Sequence, residues 1–175
     1  MPKTSIDINP TNVVVEVLDD GTVQLDFIGG PPGPEGPSGT LQNVDDELAG
    51  SDLSSDGLKA TLEAAEALVF GNVCYINTSG KCAKADASAT ATSRAVVMAT
   101  ETLGIDASGD FLLLGFARDD SWAWTVGKEV FLSETAGELT QTAPIVPDSV
   151  TQVLGVAIHA DRVYFNPSSD VVVHA

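Results

Sequence analysis

The chain has 175 residues, room for one ordinary domain or one small domain with an appendage. With 43% hydrophobic, 19% charged and 6% aromatic residues, it has the profile of a folded, β-leaning protein with a real core rather than a disordered one. Twenty-five acids against eight bases give a net charge of −17, which repels a phosphate backbone and argues against nucleic-acid binding.

No apolar run approaches the roughly 20 residues that a membrane-spanning helix needs, and no basic stretch followed by an apolar one opens the chain. Synthesis and retention in a soluble compartment, with no membrane partner, is therefore the expectation. Residues 1–67 carry 13 acids and 2 bases, whereas residues 68–175 carry 12 and 6, so the N-terminal third is read as the more solvated part.

In chain order, residues 1–29 contain two β-branched runs, Val13 to Val17 and Val23 to Ile28, joined across Asp20-Gly21, a strong hairpin signal. Val23, Leu25 and Phe27 alternate with Gln24 and Asp26, giving the second strand one apolar face. A lone two-stranded hairpin is marginal in water. The hairpin is therefore read as a docking element, with Val23, Leu25 and Phe27 as its candidate contacts.

Residues 30–40 follow, with Gly30, Gly33, Gly36 and Gly39 at every third position and Pro31, Pro34 and Pro37 behind the first three. Three polyproline-II chains share one axis only where every third residue lacks a side chain. The run reads either as a short collagen-like neck of three chains, kept in register by trimeric flanks, or as a stiff extended linker. A domain boundary falls here on both readings.

Residues 41–69 include Leu58 to Leu68, rich in helix formers, with Asp56 placed as an N-cap. Leu41, Val44, Leu48, Leu58, Leu62, Ala65 and Val69 fall on one heptad frame, interrupted at Ser51 and Ser55. The expectation is a helical linker, either trimerising around an axis or lying on its own β-domain.

From residue 70 to 175 short runs of Val, Leu, Ile, Phe and Tyr alternate with turn residues, a β texture throughout. Gly71 to Ala85 aligns with Gly127 to Thr142, each a hairpin. Each is followed by a small-residue strand, Ala95 to Ala99 and Leu154 to Ile158. The repeat predicts a small barrel or sandwich of pseudo-twofold character, with Phe111 to Phe116 as a central buried strand. Cys74 and Cys82 flank a hairpin turn and are read as free, partly buried thiols.

Signatures of catalysis are missing from the sequence. A Ser-His-Asp arrangement would rest on His159, the other histidine, His174, being one residue from the end, and no nucleophile elbow supports it. No phosphate-binding glycine loop occurs. Asp45, Asp46, Glu47, Asp52 and Asp56 cluster, but their spacing fits no EF-hand, so they are read as a solvated face. No catalytic residue, cofactor or metal is expected. Trp122 and Trp124, two apart on an expected strand, would share a face, serving either as packing or as a carbohydrate-stacking platform. Arg118 with Asp119 and Asp120 reads as a polar turn.

The order of these parts, together with the motifs Gly71 to Asn77, Gly80 to Ala87, Trp122 to Lys128, Gly137 to Pro144, Val153 to Ala157 and Tyr164 to Pro167, resembles bacteriophage virion proteins. Over roughly residues 70–167 its form is similar to the small β-domains of capsid decoration, cement or head-fibre proteins. Collagen-like triplets also occur in phage tail fibres.

The decoration resemblance implies a mainly β, non-enzymatic homotrimer, made in the host cytoplasm and seated on the outer capsid surface where copies of the major capsid protein meet. In that arrangement residues 1–29 dock, 30–40 form the neck, 41–69 trimerise, and 70–175 are displayed. The tail-fibre alternative implies a receptor-binding tip that recognises host glycan or protein.

Overall fold

The computed structural model describes residues 51–175 in full and, before them, the backbone of three strands: β1 (Ser5–Ile8), β2 (Val13–Val17) and β3 (Val23–Phe27). The chain divides into two compact units, Met1–Gln42 and Asn43–Ala175. The Gly-X-Y run and Asp45, Asp46 and Glu47 lie outside the described residues.

In the first unit the expected hairpin is present as β2 and β3, with Val13, Val15 and Val17 opposite Phe27, Leu25 and Val23. The sequence reading missed β1, which pairs antiparallel with β2 and sets Ile6 opposite Val15 and Ile8 opposite Val13. In this register one alternate set of positions holds only Ile, Val, Leu and Phe. The other set holds Ser5, Asp7, Val14, Glu16, Gln24 and Asp26. The alternation of Ile6 and Ile8 with Ser5 and Asp7 was the available signal for the extra strand.

The second unit is mainly β, and no helix occurs among the described residues. Its strands are β4 (Ser54–Glu63), β5 (Val73–Ile76), β6 (Cys82–Lys84), β7 (Val97–Ala99), β8 (Ser108–Arg118), β9 (Glu129–Leu132), β10 (Leu139–Thr140), β11 (Val150–Thr151), β12 (Val153–His159), β13 (Arg162–Phe165) and β14 (Val172–Val173). A single curled sheet runs β10-β9-β12-β13-β8-β7-β5-β6, with β4 added to β8. All its strand pairs are antiparallel.

The expected repeat is visible in that order. β6-β5-β7-β8 and β10-β9-β12-β13 are the same arrangement, meeting where β8 pairs with β13. Aligned glycines agree as well: Gly71 and Gly127 before the hairpins, and Gly80 and Gly137 in their turns, all have φ between 77° and 83°. That left-handed backbone favours glycine, so the repeat is written in the turns as much as in the strands.

The helix expected over residues 56–68 is corrected: residues 54–63 are β4, and Asp56 lies within a strand rather than capping a helix. Leu58-Lys59-Ala60-Thr61-Leu62-Glu63-Ala64 alternates apolar and polar as cleanly as it fits a heptad. Ten register pairs with β8 select the strand, overriding local helix propensity.

Two cores follow. The larger gathers Val73, Met98, Leu112, Leu132, Leu154 and Phe165. The smaller sits where the sheet curls back on itself, around Leu68, Cys74, Cys82, Val97, Leu103 and Phe111. That curl is closed by an Ala64–Cys82 bridge and by Lys81, whose Nζ lies 2.5 Å from Glu63 and 2.7 Å from Asp106. The expected central strand is β8, but only in part buried: Phe111 and Leu112 are enclosed, whereas Leu114 is 39% exposed. Both cysteines are free and fully buried.

Candidate functional site

Three surface features of the second unit carry chemistry. The first is a sheet face. A bulge at the Leu58/Lys59 step of the β4–β8 register lets Phe111 and Leu113 on one side of it, and Leu114, Phe116 and Arg118 on the other, point to the same side of the sheet. At the Phe111 end that side is enclosed as the smaller core, into which Leu62 also packs. At the Leu114 end the same side is exposed at Leu58 and Leu114 and half-buried at Phe116 and Tyr164.

There the register builds a row across five strands: Asp56, Phe116, Tyr164, Val156 and Glu129. The Phe116 and Tyr164 rings pack 5.2 Å apart. Beside this row Leu58 stands opposite Leu114, with Leu58 61% exposed. An apolar centre is thus flanked by one acid at each end.

The second feature is an ionic cluster bordering that face. Arg118 and Arg162 are register partners. Asp161 lies between them, 3.3 Å from Arg118 Nε and 3.4 Å from Arg162 Nε, and 2.5 Å from His159 Nδ1. Burial pushes the Asp161 carboxyl up. The hydrogen bond from His159, that from its own backbone N–H, and the charges of His159 and Arg162 outweigh burial and hold it below the usual carboxylate range. Arg118 also pairs with Asp120 at 2.7 Å, and the Asp120 N–H donates to Asp52 at 2.8 Å. The cluster therefore consists of paired charges that fasten the loop after β8 to the β12–β13 turn.

The third feature is an aromatic cleft of about 280 Å³, lined by Phe70, Asn72, Trp122, Trp124, Glu138 and Leu139 among others. Trp122 and Trp124 were expected on a strand. They lie instead in the connection between β8 and β9, where Trp124 N–H donates to Ala160 O at 2.8 Å. Their rings are 5.5 Å apart and tilted by 55°, and both are half-buried against core residues. That arrangement is a notch rather than a flat platform, with packing and partial access combined. Trp124 Nε1 is buried and has no hydrogen-bond partner among the described residues.

Of the sequence-predicted residues, Val23, Leu25 and Phe27 are brought onto one alternate set of β3, in the first unit, and the two tryptophans onto one cleft of the second. Gly30, Gly33, Gly36 and Gly39 lie outside the described residues. Asp52 and Asp56 serve backbone N–H groups, of Leu53 and Asp120 and of Gly57 respectively. Among the described residues no three His, Cys, Asp or Glu side chains gather as metal ligands.

Sequence reasoning missed the open sheet face, because its residues come from five strands whose register no single stretch of sequence states. No protein-family model matches the chain, and no curated protein matches it.

Proposed function

We propose that this chain is a non-enzymatic structural protein of a bacteriophage virion: a homotrimer that docks on the outer capsid through its N-terminal strands and displays its C-terminal β-domain. What supports the reading is the division of labour along the chain. A small three-stranded unit, whose register sets every Ile, Leu and Phe of its three strands, and all but one Val, in one alternate set, is joined through Gly-X-Y triplets to a separately cored, acidic β-domain. Binding across neighbouring capsid subunits would stabilise the shell by linkage, since a ligand favours the state that it binds. High negative charge would keep crowded particles from adhering to one another.

The test is co-sedimentation of the full-length protein with empty shells of the parent virion's major capsid protein. Wild type should pellet with the shells, and Leu25→Asp should not, while the thermal transition of the β-domain stays unchanged. A wild-type chain that stays in the supernatant at every concentration overturns the proposal.

A second reading, a receptor-binding tip, is favoured by one observation: the tryptophan notch is partly accessible and carries Glu138 at its rim. On that reading Trp122→Ala abolishes binding to host cells and leaves shell binding intact.

A further inference from the structure

The open sheet face has the character of half an interface. Its centre is Leu58, Leu114, Phe116, Tyr164 and Val156, and it continues the side of the sheet that the smaller core already encloses. Leu58 and its register partner Leu114 are 61% and 39% exposed, and Val156, across Tyr164 from Phe116, is 36% exposed, with no charged side chain between them in these registers. We infer that this face is where three copies of the chain pack on one another around the threefold axis, an inference that rests on the trimer proposed above.

Two further observations select sister copies as the occupant. The first is electrostatic. Copies bearing −17 each repel, so they can meet only where acids are withdrawn from the contact. Here Asp56 and Glu129 stand at opposite flanks, leaving the centre free of acids, and the arginines at its border, Arg118 and Arg162, are already paired with Asp120 and Asp161.

The second observation is connectivity. β4, which carries Leu58, begins 15 residues after Gly39, and at about 3.5 Å per residue that span is at most about 53 Å. Three chains joined at the triplets would keep three β4 strands within that reach of one axis.

The experiment is light scattering of full-length protein, wild type beside Leu58→Lys, Leu114→Lys and, as a surface control, Ile145→Lys, whose side chain is 75% exposed elsewhere. Circular dichroism and melting on each sample verify the fold. Wild type and the control should have three times the 18.1 kDa chain mass. The two face variants should dissociate at concentrations at least about tenfold higher than wild type does, with unchanged spectra.

Face variants that remain as trimeric as wild type overturn this inference and leave the trimer standing. If such variants also lose shell binding, the face belongs to the capsid instead. A wild-type chain that is monomeric throughout overturns both the face and the trimer in solution.

Discussion

At the scale of single residues the least expected chemistry is in the two thiols. Cys74 and Cys82 come from paired strands, but the register sets Cys82 opposite Ile76 and Cys74 opposite Lys84, so the two are not cross-strand partners. Both are enclosed in the smaller core. Burial pushes the Cys82 thiol up from 9.0 to about 11. Burial raises Cys74 further, with added repulsion from Cys82 and Glu66. A thiol whose pKa is higher folded than unfolded stabilises the fold while it stays protonated. That contribution is complete below about pH 9 and is lost as pH rises through the folded value.

The expected outcome is a urea midpoint that falls between about pH 9 and pH 11, with Cys82 alone accounting for on the order of 2 kcal/mol. Tyrosines and lysines titrate in the same range, so the decisive comparison is with a Cys74→Ala/Cys82→Ala protein, whose alkaline decline should be shallower. Parallel declines would show that the thiols do not contribute.

At the scale of elements, β4 and β8 determine the shape of the sheet, and their crossing depends on a pair of glycines. Gly57 and Gly115 are register partners with φ of 141° and 148°. A Cβ on Gly115 would come within 2.2 Å of Asp56 O and 2.7 Å of Gly57 Cα, both backbone atoms that cannot rotate aside. Gly115→Ala should therefore cost at least about 2 kcal/mol, seen as a lower melting temperature. Gly104→Ala, where no atom lies within 4 Å of the added Cβ, should stay within about 0.5 kcal/mol of wild type. Equal melting temperatures would remove the steric argument.

These elements also show what local sequence can and cannot state. The hairpins of the repeat were legible because their turns are local, fixed by Gly71, Gly80, Gly127 and Gly137. β4 was not, since Leu58 to Ala64 satisfies helical and strand periods alike and only its partner β8, about fifty residues away, decides. The tryptophans were correctly grouped but wrongly placed on a strand, because the bond from Trp124 N–H to Ala160 O that shapes their loop is long-range. The open face was illegible for the same reason: Asp56, Phe116, Tyr164, Val156 and Glu129 become a row only through four separate registers.

At the scale of the whole molecule, charge opposes the proposed association of three copies. Three copies at −17 each bring together a large like charge, whereas the contact argued above is apolar at its centre. The two terms respond differently to salt. Repulsion between exposed charges is screened beyond the Debye length, about 10 Å at 0.1 M and about 3 Å at 1 M ionic strength, while apolar burial is not weakened by simple salts. Association should therefore tighten as sodium chloride rises from about 0.02 M to about 0.5 M, the opposite of the trend for a complex held by ion pairs. Sedimentation equilibrium of the full-length protein across that range measures it directly. A trimer that loosens with salt would mean that ion pairs involving the flanking acids, rather than the Leu58–Leu114 centre, hold the copies together. In that case Glu129→Gln should weaken the assembly more than Leu114→Lys does.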